Sequence, residues 1–422
     1  MNGGGVGLPA DLPRPGRQNL AVRVTKDAAR HIRAGHPWVF DASVMSLRGA
    51  GGSGSGAPGD LAVIFDDDRR FMAVGLYDPA SPIRIKVVHH GAPATIDRAF
   101  WTARLANAVA RRAELVASTD TTAYRVVHGE NDGLPGLVLD RYEGTAVLKL
   151  YSAAWFPHLP DVLASIAETV HPETIVLRLA RTVQGGPTFG LRDGTTILGA
   201  PPEGPVVFRE HGLIMEADVV RGQKTGYFLD QRDNRALVGG MSAGARVLDV
   251  FCCTGGFSVH AAAGGATAVH GVDLSAHAVD DARRNMARNR QLPAVAACRH
   301  RTTVGDAFEV MGDLARRGER YDLVVVDPPS FASKQADVAG AVRAYGRLTA
   351  SAVSLTRPGG TLLQASCSSR VPADRFVAGV LAAAADAGTQ LRIVTTTGHA
   401  LDHPVGFREG AYLKAVVATV VH

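Results

Sequence analysis

Solid apolar runs alternate with amphipathic stretches over the second half of the chain. RVLDVF, ATAVHGVDL, YDLVVVD, GTLLQASC and RIVTTTG read as strands. HAVDDARRNMARN, AFEVMGDLARRG and VAGAVRAYGRLTASAVSL, between them, read as helices, and DQRDNRALVGGM reads as a helix ahead of the first strand. Strands apolar on both faces and separated by helices predict an α/β domain, from about residue 221 to 422, with a mostly parallel sheet covered on both sides. Ligands of such sheets bind at the carboxyl ends of the strands.

Upstream the rhythm differs. Between residues 19 and 90, NLAVRVTKDAARHIRAGHPWVFDASV predicts a short strand, a basic helix and a turn, and LAVIFD, RFMAVGLYD and IRIKVV follow as strands. This is a small β-barrel-like module with one helix, interrupted by a flexible GAGGSGSGAPGD insertion at 49–60. Residues 91–220 predict a small α+β domain that positions a substrate: a helix over TIDRAFWTARLANAVARRAEL, a strand-turn-strand over AYRVVHGENDGLPGLVLDRYEGTAVLKLY, a second helix, a strand, and a hairpin over PVVFREHGLIMEADVV. The first 18 residues, rich in Gly and Pro, are expected to be disordered.

A chain of 422 residues has room for two or three cores. Its net charge of +5 permits a nucleic-acid partner without requiring one. Cys252, Cys253, Cys298 and Cys367 have no CxxC spacing, so neither a metal site nor a disulfide framework is expected. Reduced thiols, no leader-like start and no apolar run of membrane-spanning length lead to the expectation of a cytoplasmic protein without membrane contact.

The chemistry gathers at the predicted strand ends. Asp249 closes the first strand, and the chain then turns through Gly255 and Gly256, where glycine allows a tight turn and close approach to a ligand. The turn is neither GxGxxG nor followed by a phosphate-loop lysine. Asp249 lies too early to hold a ribose; it orders the turn or reaches a ligand ammonium. Asp273, at the next strand end, can take both ribose hydroxyls of a nucleoside. Asp306, in VGDAF, can accept from an adenine amino group. Three acids would repel a pyrophosphate but suit the sulfonium and ammonium of S-adenosylmethionine. The plainer alternative is that each acid caps the helix that follows it.

At the reacting end, Asp327 closes a buried strand before Pro328 and Pro329. Two prolines stiffen the loop and leave its carbonyls free to accept from a base amino group. Phe331 can stack on a base or belong to the core. Cys367 follows the next strand, between Ser366 and Ser368. Carbon 5 of cytosine is a poor nucleophile; addition of a thiolate at C6 makes C5 enamine-like and able to take a methyl group. Asp327 can contact N3 or the exocyclic amine of the resulting adduct. The alternative for Cys367 alone is a small buried hydrophobe.

These residues resemble the RlmI-like family of bacterial 23S ribosomal RNA cytosine-C5 methyltransferases. RHIRAGHPWVF, GLYDPASPIRIKV, YRVVHGENDGLPGLVLDRY and above all FREHGLIMEADVVRGQKTGYFLDQRDNR carry the resemblance, which covers nearly all of the chain after residue 18. It implies an N-terminal PUA domain, a central α+β domain and a C-terminal Rossmann-like methyltransferase domain. It implies S-adenosylmethionine bound by Asp249, Asp273 and Asp306, with Lys224, Thr225, Phe228, Asp230, Gln231 and Arg232 framing the pocket. It also implies Asp327 and the two prolines at the base, with Cys367 as nucleophile. Ser330 stands where some RNA cytosine-C5 enzymes carry a second cysteine, so a one-cysteine route follows. DHPVGFREGAYLKAVV departs from the family's usual tyrosine-proline-glutamate wording near the C-terminus. PUA domains bind structured RNA through shape and backbone contacts, which makes Arg23, Lys26, Arg30 and Arg33 candidate contacts. The implied partner is 23S ribosomal RNA or a large-subunit assembly intermediate, and a homodimer is left open.

Three other readings compete. A base-nitrogen methyltransferase would use the acid-proline-proline loop without a cysteine. A non-catalytic RNA-binding assembly factor would keep the fold alone. A dehydrogenase is disfavoured by the missing GxGxxG.

Overall fold

The computed structural model describes residues 7–16, 19–49, 56–332 and 334–421. The chain divides into two compact units. The first comprises residues 1–208, 217–227 and 401–407, and the second residues 209–216, 228–400 and 408–422.

The first unit begins with β1 (Leu20–Val24), α1 (Lys26–Arg33), β2 (Trp38–Phe40), β3 (Val44–Arg48), β4 (Leu61–Phe65), β5 (Phe71–Tyr77) and β6 (Ile83–His90). The strands form one sheet in the order β2-β6-β5-β4-β1-β3. Thr25 starts the helix, its hydroxyl accepting from Ala28 N at 3.3 Å. Ala28, Ala29 and Ile32 face the core while Lys26, Arg30 and Arg33 face water. Most of the predicted insertion, residues 50–55, lies outside the described residues, as do residues 1–6, 17 and 18 of the predicted disordered start. Residues 7–16 do have a place: Gly7 N donates to Ile197 O at 2.9 Å, and Leu8 and Leu12 pack on the central core.

That central core holds α2 (Arg98–Ala110), α3 (Ala113–Ala117), β7 (Ala123–His128), β8 (Leu137–Tyr142), β9 (Thr145–Leu150), α4 (Leu159–Val170), β10 (Thr174–Leu179), α5 (Arg181–Gln184) and β11 (Thr195–Leu198). Its sheet runs β11-β10-β9-β8-β7. Trp101 and Trp155 meet edge to face beneath it, with ring centroids 5.2 Å apart. Val74, Leu76 and Val88 of the first sheet belong to this same core. The first two predicted segments therefore share buried apolar surface and form one unit. β12 (Val206–Glu210) and β13 (Leu213–Ala217) then pair as the predicted hairpin.

The second unit contains α6 (Arg232–Gly240), β14 (Arg246–Val250), α7 (Gly256–Ala263), β15 (Ala268–Asp273), α8 (Ala276–Arg288), α9 (Pro293–Ala297), β16 (Arg299–Val304), α10 (Ala307–Arg316), β17 (Tyr321–Val326), α11 (Val338–Leu355), β18 (Thr356–Ser366), α12 (Ala373–Asp386), β19 (Gln390–Thr397) and β20 (Lys414–Val421). The sheet order is β16-β15-β14-β17-β18-β20-β19. β16, β15, β14, β17 and β18 are parallel, and β20 enters antiparallel between β18 and β19. Five carboxyl ends thus share one edge, where a ligand of such a sheet binds. RHRTTV, at β16, has no apolar run because it is the outermost strand, covered on fewer sides.

Candidate active site

At the cofactor end the backbone is strained where the sequence placed its turn. Phe251, Cys253 and Gly255 have φ of 64°, 48° and 77°. Gly255 tolerates this, and a Cβ there would stand 2.7 Å from the Cβ of Ala282. Asp249 is fully buried beneath the turn. Its Oδ2 accepts from Ser258 Oγ at 2.6 Å, while its Oδ1 has no partner. Burial pushes its carboxyl up to about 7. Asp249 therefore orders the start of α7 and keeps one uncompensated oxygen that a nearby cation would stabilise.

Asp273 is accessible in part. Its Oδ2 accepts from Cys253 N and its Oδ1 from Ser275 N, both at 2.9 Å, so it links the turn to the head of α8. Leu274, beside it, is 72% exposed, an apolar face that sequence reasoning passed over. Asp306 caps α10: its Oδ1 accepts from Phe308 N and Glu309 N at 2.9 and 3.2 Å. An unpartnered buried carboxylate oxygen, a left-handed turn and two strand-end acids fit a cationic adenosyl cofactor. They would not fit a bare pyrophosphate, whose negative charge the carboxylates would oppose.

At the reacting end, Asp327 Oδ1 accepts from Gln231 Nε2 at 2.8 Å. Gln231 Oε1 accepts from Asn234 Nδ2 at 2.5 Å, and Asn234 Oδ1 accepts from Thr397 Oγ1 at 2.6 Å. Gln231 sits in the 3-10 turn Leu229–Gln231 that leads into α6. Pro328 is buried and Pro329 exposed, and the Cys367 thiol donates to Pro328 O at 3.9 Å. The nucleophile candidate and the acid-proline-proline turn, 40 positions apart in sequence, thus meet across β17 and β18. Phe331 packs on Tyr345, centroids 5.1 Å apart, partly in the core.

Behind Cys367 runs a chain of hydroxyls. Ser330 Oγ lies 2.9 Å from Ser368 Oγ, Tyr345 OH 2.9 Å from the same atom, and Ser366 Oγ donates to Tyr345 OH at 2.9 Å. Lys414, buried at the start of β20, donates to Ser368 O and, at 3.1 Å, to Tyr412 O. The other thiols are disfavoured as thiolates. Burial pushes Cys253 up to about 12, and raises Cys252 and Cys298.

The rest of the lead-in divides between the units. Phe228, Asp230, Gln231 and Arg232 lie in the second. Phe228 O accepts from Arg235 Nη1 at 2.9 Å, Asp230 Oδ2 from Tyr412 OH at 2.9 Å, and Arg232 Nε donates to Asp233 at 3.2 Å. Lys224 and Thr225 lie in the first unit. There Thr225 donates to Asp140 Oδ2 at 2.5 Å, and Lys224 O accepts from Lys149 Nζ at 2.8 Å. Also in the first unit, Arg23 pairs with Asp67 and Arg33 with Asp66, both at 3.4 Å, and Arg30 pairs with Asp27. Sequence reasoning missed Asn234, Tyr345, Tyr412 and Lys414. Only Lys414 left a signal, a charged residue opening an otherwise apolar strand. No group of three or more His, Cys, Asp or Glu among the described residues is arranged to hold a metal, and no helix among them is long and apolar enough to cross a membrane.

Comparison with known proteins identifies the family of the chain. Residues 195–404 match the family model of S-adenosylmethionine-dependent methyltransferases, and residues 22–90 match a PUA-like domain. A ribosomal RNA large subunit methyltransferase of Deinococcus radiodurans is 47% identical over 96% of this chain and 98% of its own. Ribosomal RNA large subunit methyltransferase I of Shewanella amazonensis is 36% identical over 95% of this chain and all of its own. A solved methyltransferase complexed with S-adenosylhomocysteine shares the fold at a TM-score of 0.79, with 18% identity over 94% of this chain and 99% of its own. The chain belongs to the family of S-adenosylmethionine-dependent ribosomal RNA large subunit methyltransferases, with a PUA-like domain ahead of the catalytic one.

Proposed function

We propose that this protein methylates carbon 5 of one cytidine in 23S ribosomal RNA, with Cys367 as covalent nucleophile and Asp327 as the group that holds the base. The observation that carries the reading is the contact of the Cys367 thiol with the carbonyl of Pro328, which puts a nucleophile against the loop suited to a flat heterocycle. The cofactor supplies an electrophilic methyl group from its sulfonium. Cys367 adds as thiolate to C6, and the electron pair so released makes C5 the attacking atom. After C5 takes the methyl group it loses its proton to a base, the C6–S bond breaks, and Cys367 leaves as thiolate with the ring aromatic again. Asp327, held as an acceptor by Gln231, faces the N3 and amino edge of the base. The carbonyls of Pro328 and Pro329 accept from the amino group, and Phe331 stiffens the loop or stacks at its rim.

Asp249, Gly255, Gly256, Asp273 and Asp306 receive the cofactor in this reading. Asp273 takes the ribose and Asp306 the adenine amino group, through the oxygen not engaged in the helix cap. Phe228, Asp230, Gln231 and Arg232 border the same pocket, and Lys224 and Thr225 belong to the lead-in before them. Arg23, Lys26, Arg30 and Arg33 offer a basic helix and strand for RNA phosphates, attenuated by Asp27, Asp66 and Asp67. A cytoplasmic location accords with a ribosomal substrate. The test is nucleoside mass spectrometry of unmodified large-subunit RNA and of intact subunits after incubation with enzyme and S-adenosylmethionine. The expected product is 5-methylcytidine, absent with Cys367→Ala. A nitrogen-methylated base, or full activity of Cys367→Ala, would remove the covalent route.

A further inference from the structure

Lys414 is an unusual place to bury a charge. It stands 6% exposed at the start of β20, and its backbone register partner on β18 is Ser366. An ammonium has three donors. Two are engaged by the carbonyls of Ser368 and Tyr412. Among the described residues no carboxylate pairs with it. Lys86, Arg112, Arg178, Arg232 and Arg235, the other buried lysines and arginines among the described residues, pair with Asp78, Asp132, Asp193, Asp233 and Glu210, whereas a buried cation without a counter-ion is costly. Cys367 lies between Ser366 and Ser368, the two residues that Lys414 engages through backbone register and side chain. Among the described residues, a Cys367 thiolate favours the charge of Lys414.

We infer that the Lys414 ammonium is the counter-ion of the Cys367 thiolate, holding the nucleophile ionised and aimed before substrate arrives. This rests on the cysteine-nucleophile reading above. Lys414 is a positioning residue, since it acts through Cys367 and not on the base. Burial brings Lys414 down to about 8, against which the Cys367 thiolate works. The interaction is reciprocal, because what the thiolate does to the ammonium the ammonium does to the thiolate. A second titratable group, Tyr345 of α11, couples to Cys367. Its phenol is raised by burial, and so stays neutral. Ser330, Ser366 and Ser368 contribute only hydroxyls. Asp327, next to the carbonyl that Cys367 meets, opposes the thiolate, and Gln231 engages one of its oxygens. Lys414 thus supplies a cation to the cluster.

The test is the pH profile of iodoacetamide alkylation of Cys367 in the full-length protein without RNA, read peptide by peptide with Cys298 as internal reference. In the wild type the midpoint should fall at least one unit below the ordinary thiol value of about 8.5. A midpoint at or above that value overturns the inference even if no variant folds. In Lys414→Met, with circular dichroism and cofactor binding retained, Cys367 alkylation at pH 7 should slow by about tenfold or more, as removal of a neighbouring opposite charge requires. Lys414→Arg should recover part of the rate. Equal profiles for wild type and Lys414→Met would overturn the idea. If Cys367 proves to be a Lys414-dependent thiolate while Cys367→Ala still methylates RNA, the pair stands and the covalent function falls.

Discussion

Gln231 donates to Asp327 at 2.8 Å, so that the turn before α6 fixes a carboxylate at the end of β17. The amide cannot swing, because Asn234 occupies its oxygen and Thr397 in turn donates to Asn234. Three side chains thus fix the orientation of the Asp327 carboxylate. Gln231→Ala should lower kcat by about a hundredfold, the scale expected of a displaced catalytic group. Gln231→Glu sets two carboxylates against each other and should make activity fall as pH rises through neutrality. Steady-state kinetics between pH 6 and 9 checks both.

The carboxyl of Asp249 makes cofactor binding pH-dependent. Its ionisation is pushed up to about 7 by burial, and a bound sulfonium and ammonium would favour its charged form. Below that pH a proton must leave on binding; above it none does. Affinity for S-adenosylmethionine should therefore rise from pH 5.5 towards 7 and level off above. Calorimetry in buffers of different ionisation enthalpy should record proton release at pH 6, and Asp249→Asn should abolish both effects.

Gly255 leaves no room for a side chain. A Cβ at that position meets Ala282 Cβ at 2.7 Å and Cα at 3.0 Å, and φ is 77°. Gly255→Ala should cost about 1–2 kcal/mol for the left-handed backbone alone, and displacement of the turn should weaken cofactor binding at least tenfold. Thermal unfolding and calorimetry separate the two losses.

The second unit depends on a buried ion pair. Arg235 Nε and Nη2 each lie 2.6 Å from an oxygen of Glu210, with both side chains almost wholly buried. Burial disfavours the Glu210 charge, but Arg235 outweighs it and holds the carboxyl below its ordinary 4.5. The pair's contribution is then complete above about 4.5 and is lost as pH falls through the lowered value of the folded state. Arg235→Met strands a buried carboxylate and should destabilise by about 3–5 kcal/mol. Denaturant titration at pH 7 and at pH 4 should show the variant's deficit shrinking at the acid end, where Glu210 in the variant is neutral.

Periodicity, glycine placement and strand-end acids were sufficient to predict the α/β class, the turn at Gly255 and the acids beside it. These are local properties. A buried parallel strand must be apolar on both faces, and paired glycines after a strand allow a turn with a positive φ. Asp249 and Asp273 were legible for the same reason, as each stands at the end of a strand that its own sequence announces, whereas the strand before Asp306 carries no apolar run. What sequence could not decide was which far-apart residues become neighbours. The Cys367–Pro328 contact depends on β17 and β18 pairing in parallel register, and the Cys367–Lys414 relationship on β20 entering antiparallel beside β18. Nor could it decide that Asn234 and Thr397 lock Gln231, or that Val74, Leu76 and Val88 share a core with Trp101 and Trp155. Such contacts follow from the order of strands in a sheet and from the burial that order produces, which no window along the chain contains.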